Sequence, residues 1–341
     1  MTYRCTRLTP PPWLLLAVLL GTGQWTDTSS YVVSGFSRTT MAQQRPAGAA
    51  ALETIQIRPN VFVIFGAGSN VTAHVGEDGV ILVDSGAGAA ADKVLAAVKA
   101  ISPLPIRLII NTSADLDHTG GNERLARSGV AINPDGFSDQ EQATVLAHEG
   151  VLLRMSGNEA MFPSAIWPTE TYTAKQRSMY LNEDAVQVLR QTGAHSDADS
   201  IVHFRRADVI VTGDVIDLRQ FPVIDASNGG SIQGELAALN RLLEITVPAM
   251  PLVLKPGRTL LVPGHGRVSD HAELVEYRDM VTVIRDIIQD QIKKGMTLEQ
   301  VRAANPTRGY RGRYGSDSGP WTTDMFVEAI YNGLKNPPAG P

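Results

Sequence analysis

The stretch NTSADLDHTGGN, residues 111–122, determines how the rest of the chain is interpreted. It follows the run IRLII at residues 106–110, which is short, apolar and β-branched and therefore predicts a buried strand. Two aspartates and one histidine lie within the four residues from Asp115 to His118. Carboxylate and imidazole groups that follow a strand of an α/β sheet are typical of a metal site, so the sequence predicts one here.

Polar residues also lie next to other short apolar runs. Asp84, Asp214 and His265 each come directly after such a run, and His195 comes shortly before one. Sites in α/β folds lie at one edge of the sheet, where strands end. We therefore expect these four residues to lie near Asp115–His118.

Length and composition favour a folded enzyme-sized domain with an extension. The chain has 341 residues, of which 43% are hydrophobic and 19% charged, so a large core is expected and global disorder is not. The net charge is -5 and no long basic run is present. This charge pattern argues against a nucleic-acid partner and leaves a small-molecule substrate as the expected partner.

The first 23 residues read as a secretory signal peptide, with Arg4 and Arg7 before an apolar run at 13–20 that is too short to span a bilayer comfortably. Residues 24–54 are expected to be a linker. The predicted location is periplasmic or secreted, with no membrane span after signal removal; a start at Met41 would instead give a cytoplasmic protein. Cys5 is the only cysteine, so thiolate ligands and disulfides are excluded for the processed chain.

Four short motifs in order resemble those of the metallo-β-lactamase superfamily of metal-dependent hydrolases: LVDSG at 82–86, HTGGN at 118–122, TGD at 212–214 and PGHG at 263–266. The resemblance covers about residues 55–270. It implies an α/β fold, a four-layer αββα sandwich with the site between two sheet edges. Residues 271–341 are predicted to form a helical C-terminal extension.

The metal motif departs from the family pattern at two positions. The family has His-x-His-x-Asp-His, and this chain has Ser113, Asp115, Asp117 and His118 at the matching positions. In the family, the two replaced histidines and the one matched by His195 form the first metal site. The resemblance implies that the second site is complete, with the ligands Asp117, His118 and His265 and a bridging Asp214.

Three outcomes follow from this departure. The second site alone can fill, most simply with one zinc ion. Alternatively, Asp115 joins His195 and Asp214 in a carboxylate-rich first site that favours iron or manganese, as in the flavodiiron oxidoreductases, although no flavin-domain signal is present. In the third outcome no metal binds, and the chain is a non-catalytic binding or sensor protein.

The sequence predicts a metal-dependent hydrolase in which a metal-activated water attacks the carbonyl of an ester, lactone, thioester or β-lactam-type amide. Asp117 would ligate the metal and orient the water, and Asp115 or His195 would act as the base. Asp84 and Ser113 are expected to lie just behind the ligands.

The segment 138–182 reads as helical, and its Met and aromatic residues predict either a lid over the substrate or local packing. His148 is expected on a helix surface. His74 and His203 are expected to be ordinary core or surface histidines.

Overall fold

Two β-sheets packed face to face form the middle of the structure, a computed structural model that describes residues 52–132, 142–249 and 257–336. The first sheet has seven strands in chain order: β1 (Glu53–Arg58), β2 (Val61–Ala67), β3 (Ser69–Gly76), β4 (Gly79–Val83), β5 (Ile106–Ile110), β6 (Thr144–His148) and β7 (Glu170–Tyr172). The second has six, in the spatial order β13 (Ser269–Asp270), β12 (Leu260–His265), β11 (Val209–Asp217), β10 (Asp199–Phe204), β9 (Asp184–Gln191) and β8 (Gln176–Leu181).

Helices cover the outer face of each sheet. They are α1 (Ala91–Ile101), α2 (Leu116–Thr119), α3 (Asn122–Ala126), α4 (Glu149–Ser156), α5 (Ile232–Ile245), α6 (His271–Lys293), α7 (Leu298–Ala303), α8 (Arg311–Tyr314) and α9 (Thr323–Lys335). Helices α1 and α3 share a buried cluster with the first sheet, and α5, α6 and α9 share one with the second. The predicted four-layer αββα sandwich with C-terminal helices is confirmed.

The alternation of side chains along β4 explains this layering. Ile81 and Val83 pack between the two sheets, whereas Val80 and Leu82 pack against the helices, and all four are buried. A strand that is covered on both faces needs a continuous apolar sequence, which β4 and β5 both have.

Two parallel strand pairs determine where a site can form. β4 pairs in parallel with β5 in the first sheet, and β11 pairs in parallel with β12 in the second. The carboxyl ends of parallel neighbours lie at the same sheet edge, so the loops that follow these four strands converge there.

The helical interpretation of residues 138–182 is wrong for most of the described part of that segment. It contains β6, β7 and β8, and only α4 and one 3₁₀ turn are helical. The reason is that β6 extends the first sheet beside β5, where Val145 and Leu146 are buried on opposite faces. Met155, Phe162 and Tyr172 are buried as well, so these residues serve local packing, whereas Met161 is 52% exposed.

The position predicted for His148 is also wrong. It is buried at the end of β6, where one ring nitrogen accepts a hydrogen bond from the Gly150 N–H and so caps α4. His74 and His203 are buried residues of β3 and β10, as expected for core histidines.

The predicted signal peptide, the alternative start at Met41 and most of the predicted linker lie outside the described residues. Strand β1 begins at Glu53, inside the stretch predicted as linker. Within the described ranges, no helix combines the length and apolar character needed to cross a membrane.

Replacing Phe326 with alanine tests how firmly the C-terminal helices belong to the core. The Phe326 ring is fully buried and stacks on Phe221 with a 4.8 Å centroid separation. We expect Phe326→Ala to lower the free energy of unfolding by about 3–5 kcal/mol in urea denaturation. Met325→Ala, a change at a 40% exposed neighbour in the same helix, is the control and should stay within about 0.5 kcal/mol of the parent. A small effect of Phe326→Ala would contradict this packing role.

Candidate metal centre

The loop between β5 and α3 is held in one conformation by close contacts. Asn111 and Asn122 exchange two side-chain hydrogen bonds, of 3.1 and 2.8 Å, across its base. A Cβ atom on Gly121 would lie only 2.3 Å from the Ser85 carbonyl oxygen, so only glycine fits there. The short α2 between them carries Asp117 and His118 toward the sheet edge.

One group of candidate ligands consists of Asp117, His118 and His265, whose ligand atoms all lie within 4.8 Å of one another. The His265 Nε2 atom is 3.1 Å from an Asp117 carboxylate oxygen. Two imidazoles and one carboxylate are a common protein ligand set for catalytic zinc. The donor types and their proximity therefore fit a metal ion.

A second group consists of Asp115, His195 and Asp214, again with all ligand atoms within 4.8 Å. The His195 Nε2 atom is 3.0 Å from Asp115 Oδ2. Asp115 thus takes part in a ligand-like group with His195 even though the family has histidine at its position. Ser113 lies behind it, and its hydroxyl accepts a 3.3 Å hydrogen bond from the Asp115 N–H.

Asp214 lies between the two groups. One of its oxygens is 3.1 Å from His118 Nε2 and 3.4 Å from His265 Nε2. A Cβ atom on Gly264 would approach the Asp214 carboxylate to 2.8 Å, which explains the glycine before His265. The structure therefore brings together all six predicted ligands at the edge where the parallel pairs end.

Hydrogen bonds on the far side of each ring orient two of the histidines. Asp84 Oδ2 is 2.8 Å from His118 Nδ1 and also accepts a 2.7 Å bond from the Thr112 hydroxyl. His195 Nδ1 is 2.9 Å from the Val223 carbonyl oxygen and donates to it. Both Nε2 atoms consequently face the carboxylates of the centre, which is the arrangement that metal-binding histidines have.

The carboxylates also change the proton affinity of the histidines. Burial opposes the charged form of His118, but the Asp214 and Asp84 carboxylates together raise its pKa well above the usual value. The pKa of His195 is raised in the same way, against its burial, by Asp115 and Asp214. The pKa of Asp214 is lowered despite burial, mainly by His118. In the metal-free protein, protons compensate the negative charge of the carboxylates.

Sequence reasoning underestimated two acidic residues near His195. Asp199 was expected in an exposed acidic turn, but it is buried and accepts two 2.6 Å hydrogen bonds from Ser196, and burial raises its pKa to about 6. Glu235 was missed. It is fully buried on α5, and among the described residues its carboxylate oxygens have no hydrogen-bond partner. A signal was present, because Glu235 lies three residues after Ile232 and four before Leu239, on the apolar stripe of α5.

Comparison with known proteins leads to the same fold. A model of the metallo-β-lactamase superfamily matches residues 65–133, and no match was found among curated proteins. A stereoselective inverting sec-alkylsulfatase from Pseudomonas sp. has a similar structure, with a TM-score of 0.61 at 13% identity; the match covers 82% of this chain and 50% of the alkylsulfatase. The chain thus spans half the length of that enzyme.

Two metallo-β-lactamases are similar over most of their own length. One, from Pontibacter korlensis, has a TM-score of 0.53 at 18% identity and covers 68% of this chain and 99% of its own. The DIM-1 metallo-β-lactamase has a TM-score of 0.52 at 14% identity, with 68% and 98% covered. These likenesses show the fold, and with the superfamily match they confirm the resemblance predicted from the motifs.

Replacing Asp84 with asparagine tests the orientation of His118. We expect Asp84→Asn to weaken metal binding by about 10–100-fold, because the His118 ring loses its charged partner. A competition titration against a chromophoric chelator measures this affinity. Asp92→Asn, which changes a 79% exposed carboxylate on α1, is the control and should bind as the parent does. Equal affinities in all three proteins would contradict the role of Asp84.

The raised pKa values of His118 and His195 predict a dependence on pH. Their protonated forms stabilise the metal-free fold fully below about pH 6.5, the pKa of an unperturbed histidine, and this stabilisation is lost as pH rises through the raised pKa values. A metal ion must displace the same protons, so its affinity should increase with pH and its uptake should release protons. Calorimetry in buffers of different ionisation enthalpy measures that release. Binding without proton release would show that these histidines do not bind the metal.

Proposed function

We propose, for this chain with the metallo-β-lactamase fold, that it is a metal-dependent hydrolase of a small-molecule substrate. The observation that carries the proposal is the convergence of Asp117, His118 and His265 within 4.8 Å, with Asp214 at their centre. The superfamily match over residues 65–133 and the hydrolases among the structural neighbours support it.

Asp117, His118 and His265 would hold the metal, with Asp214 beside them. We favour zinc, because two imidazoles and one carboxylate leave a fourth position open for water. When bound, the metal supplies a Lewis acid that lowers the pKa of water and polarises the bond to be hydrolysed.

The exposure of the side chains indicates how substrate and water reach the centre. The Asp115 and Asp117 side chains are each 38% exposed, whereas those of His118 and His195 are buried. The two aspartates therefore line the open side. Asp117 orients the attacking water by accepting its hydrogen bond. With one metal ion bound, the neighbouring Asp115–His195 pair accepts the proton.

The substrate class that we propose is a carbonyl compound, namely an ester, lactone, thioester or β-lactam-type amide. The alkylsulfatase among the structural neighbours supports a second candidate, a sulfuric ester, because its match covers more of this chain than the matches of the two β-lactamases do. Both substrate classes require a polarised central atom and an attacking water, so the same residues serve either reaction.

Metal removal and Asp117→Ala together test the proposal. Turnover should be lost on treatment with a chelator and return when zinc is added. Asp117→Ala should lower kcat/KM by at least about 100-fold, because the group that orients the water is gone. The assay panel contains an aryl ester, a lactone, a thioester, a β-lactam and an alkyl sulfate.

Asp290→Ala is the control for this test. It removes a 58% exposed carboxylate that pairs with Lys294 on α6, and activity should be unchanged. Metal-independent turnover, or full activity of Asp117→Ala, would refute the hydrolase mechanism. Ligand-induced stabilisation without turnover on any member of the panel would instead favour a binding protein.

A further inference from the structure

We propose that Asp115, His195 and Asp214 form a second, independent site for a hard divalent cation of the manganese class, which fills beside the zinc site. This inference rests on the metal centre of the proposed function and extends it. With the second ion bound, Asp115 and His195 are ligands and no longer serve as the base.

The donor atoms of the two groups differ in kind. Asp117, His118 and His265 provide two imidazole nitrogens and one carboxylate, whereas Asp115, His195 and Asp214 provide one imidazole and two carboxylates. Imidazole suits zinc and iron, and carboxylate oxygen suits manganese and magnesium. The second group is therefore the harder of the two.

The charge of the centre requires more than one divalent cation. Asp115, Asp117 and Asp214 carry three negative charges when ionised, and Asp84 adds a fourth behind His118. One divalent ion would leave two of these charges uncompensated in a largely buried site, which is costly. Two divalent ions make the centre neutral with all three histidines uncharged.

The second group is arranged for binding by contacts outside it. The Val223 carbonyl oxygen accepts the His195 Nδ1 proton, so the Nε2 lone pair faces Asp115. The Ser113 hydroxyl accepts the Asp115 N–H and thereby fixes the backbone of that ligand. The partial exposure of Asp115 gives an ion a path from solvent.

A titration of zinc-loaded protein tests this site. Zinc binds most sites more tightly than manganese, so metal-free protein first receives one equivalent of zinc and is then titrated with Mn²⁺. Electron paramagnetic resonance reports free Mn²⁺, and elemental analysis after gel filtration reports the bound metals. We expect one zinc and one manganese per chain.

Variants at Asp115 identify the ligand. Asp115→Asn should bind Mn²⁺ at least about tenfold more weakly, because a charged oxygen ligand is lost. Asp115→His should also bind Mn²⁺ more weakly and should accept a second zinc ion tightly in its place. Asp197→Asn, which changes a 60% exposed carboxylate two residues from His195, is the matched control and should bind both metals as the parent does. Circular dichroism checks that each variant is folded.

The titration needs no substrate, so its result is distinguishable from a failure of the hydrolase proposal. A parent protein that retains one zinc but no manganese would overturn the inference. Equal manganese affinity in the parent and in Asp115→Asn would overturn it as well, because the ion would then be bound elsewhere.

Discussion

The buried hydrogen bonds of Asp84 are the constraint on which the rest of the centre depends. Its carboxylate binds the Thr112 N–H, the Thr112 hydroxyl and His118 Nδ1, all at 2.7–2.8 Å. Its backbone lies in the left-handed region, with φ of 62°, which aspartate tolerates better than most residues do. One side chain therefore fixes the ends of two neighbouring strands and the ring of a candidate ligand.

The centre joins the two sheets rather than belonging to either one. The loops after β4 and β5 supply Asp84, Asp115, Asp117 and His118 from the first sheet, and β11 and β12 supply Asp214 and His265 from the second. Each sheet thus contributes residues from the ends of a parallel pair. The geometry of the candidate ligands consequently depends on the packing of the apolar layer between the sheets.

The fold and the six candidate ligands were predictable because both are encoded locally. The glycines at 120, 121 and 264 are required by close approaches of backbone and carboxylate, so they recur in recognisable motifs. The segment 138–182 was not predictable in the same way, because β6 is a strand only through its pairing with β5. Glu235 was missed because a charged residue on an apolar stripe looks like an ordinary helix position unless its burial is known.

The distances along the chain between the candidate ligands have a consequence for folding. Asp115 and His195 are 80 residues apart, and His118 and Asp214 are 96 residues apart. Contacts over such separations form only after much chain entropy has been lost. The ligands cannot meet while the second sheet is still incomplete, so a partly synthesised chain has no high-affinity place for a metal ion. Metal capture is therefore a late event that marks a nearly finished molecule.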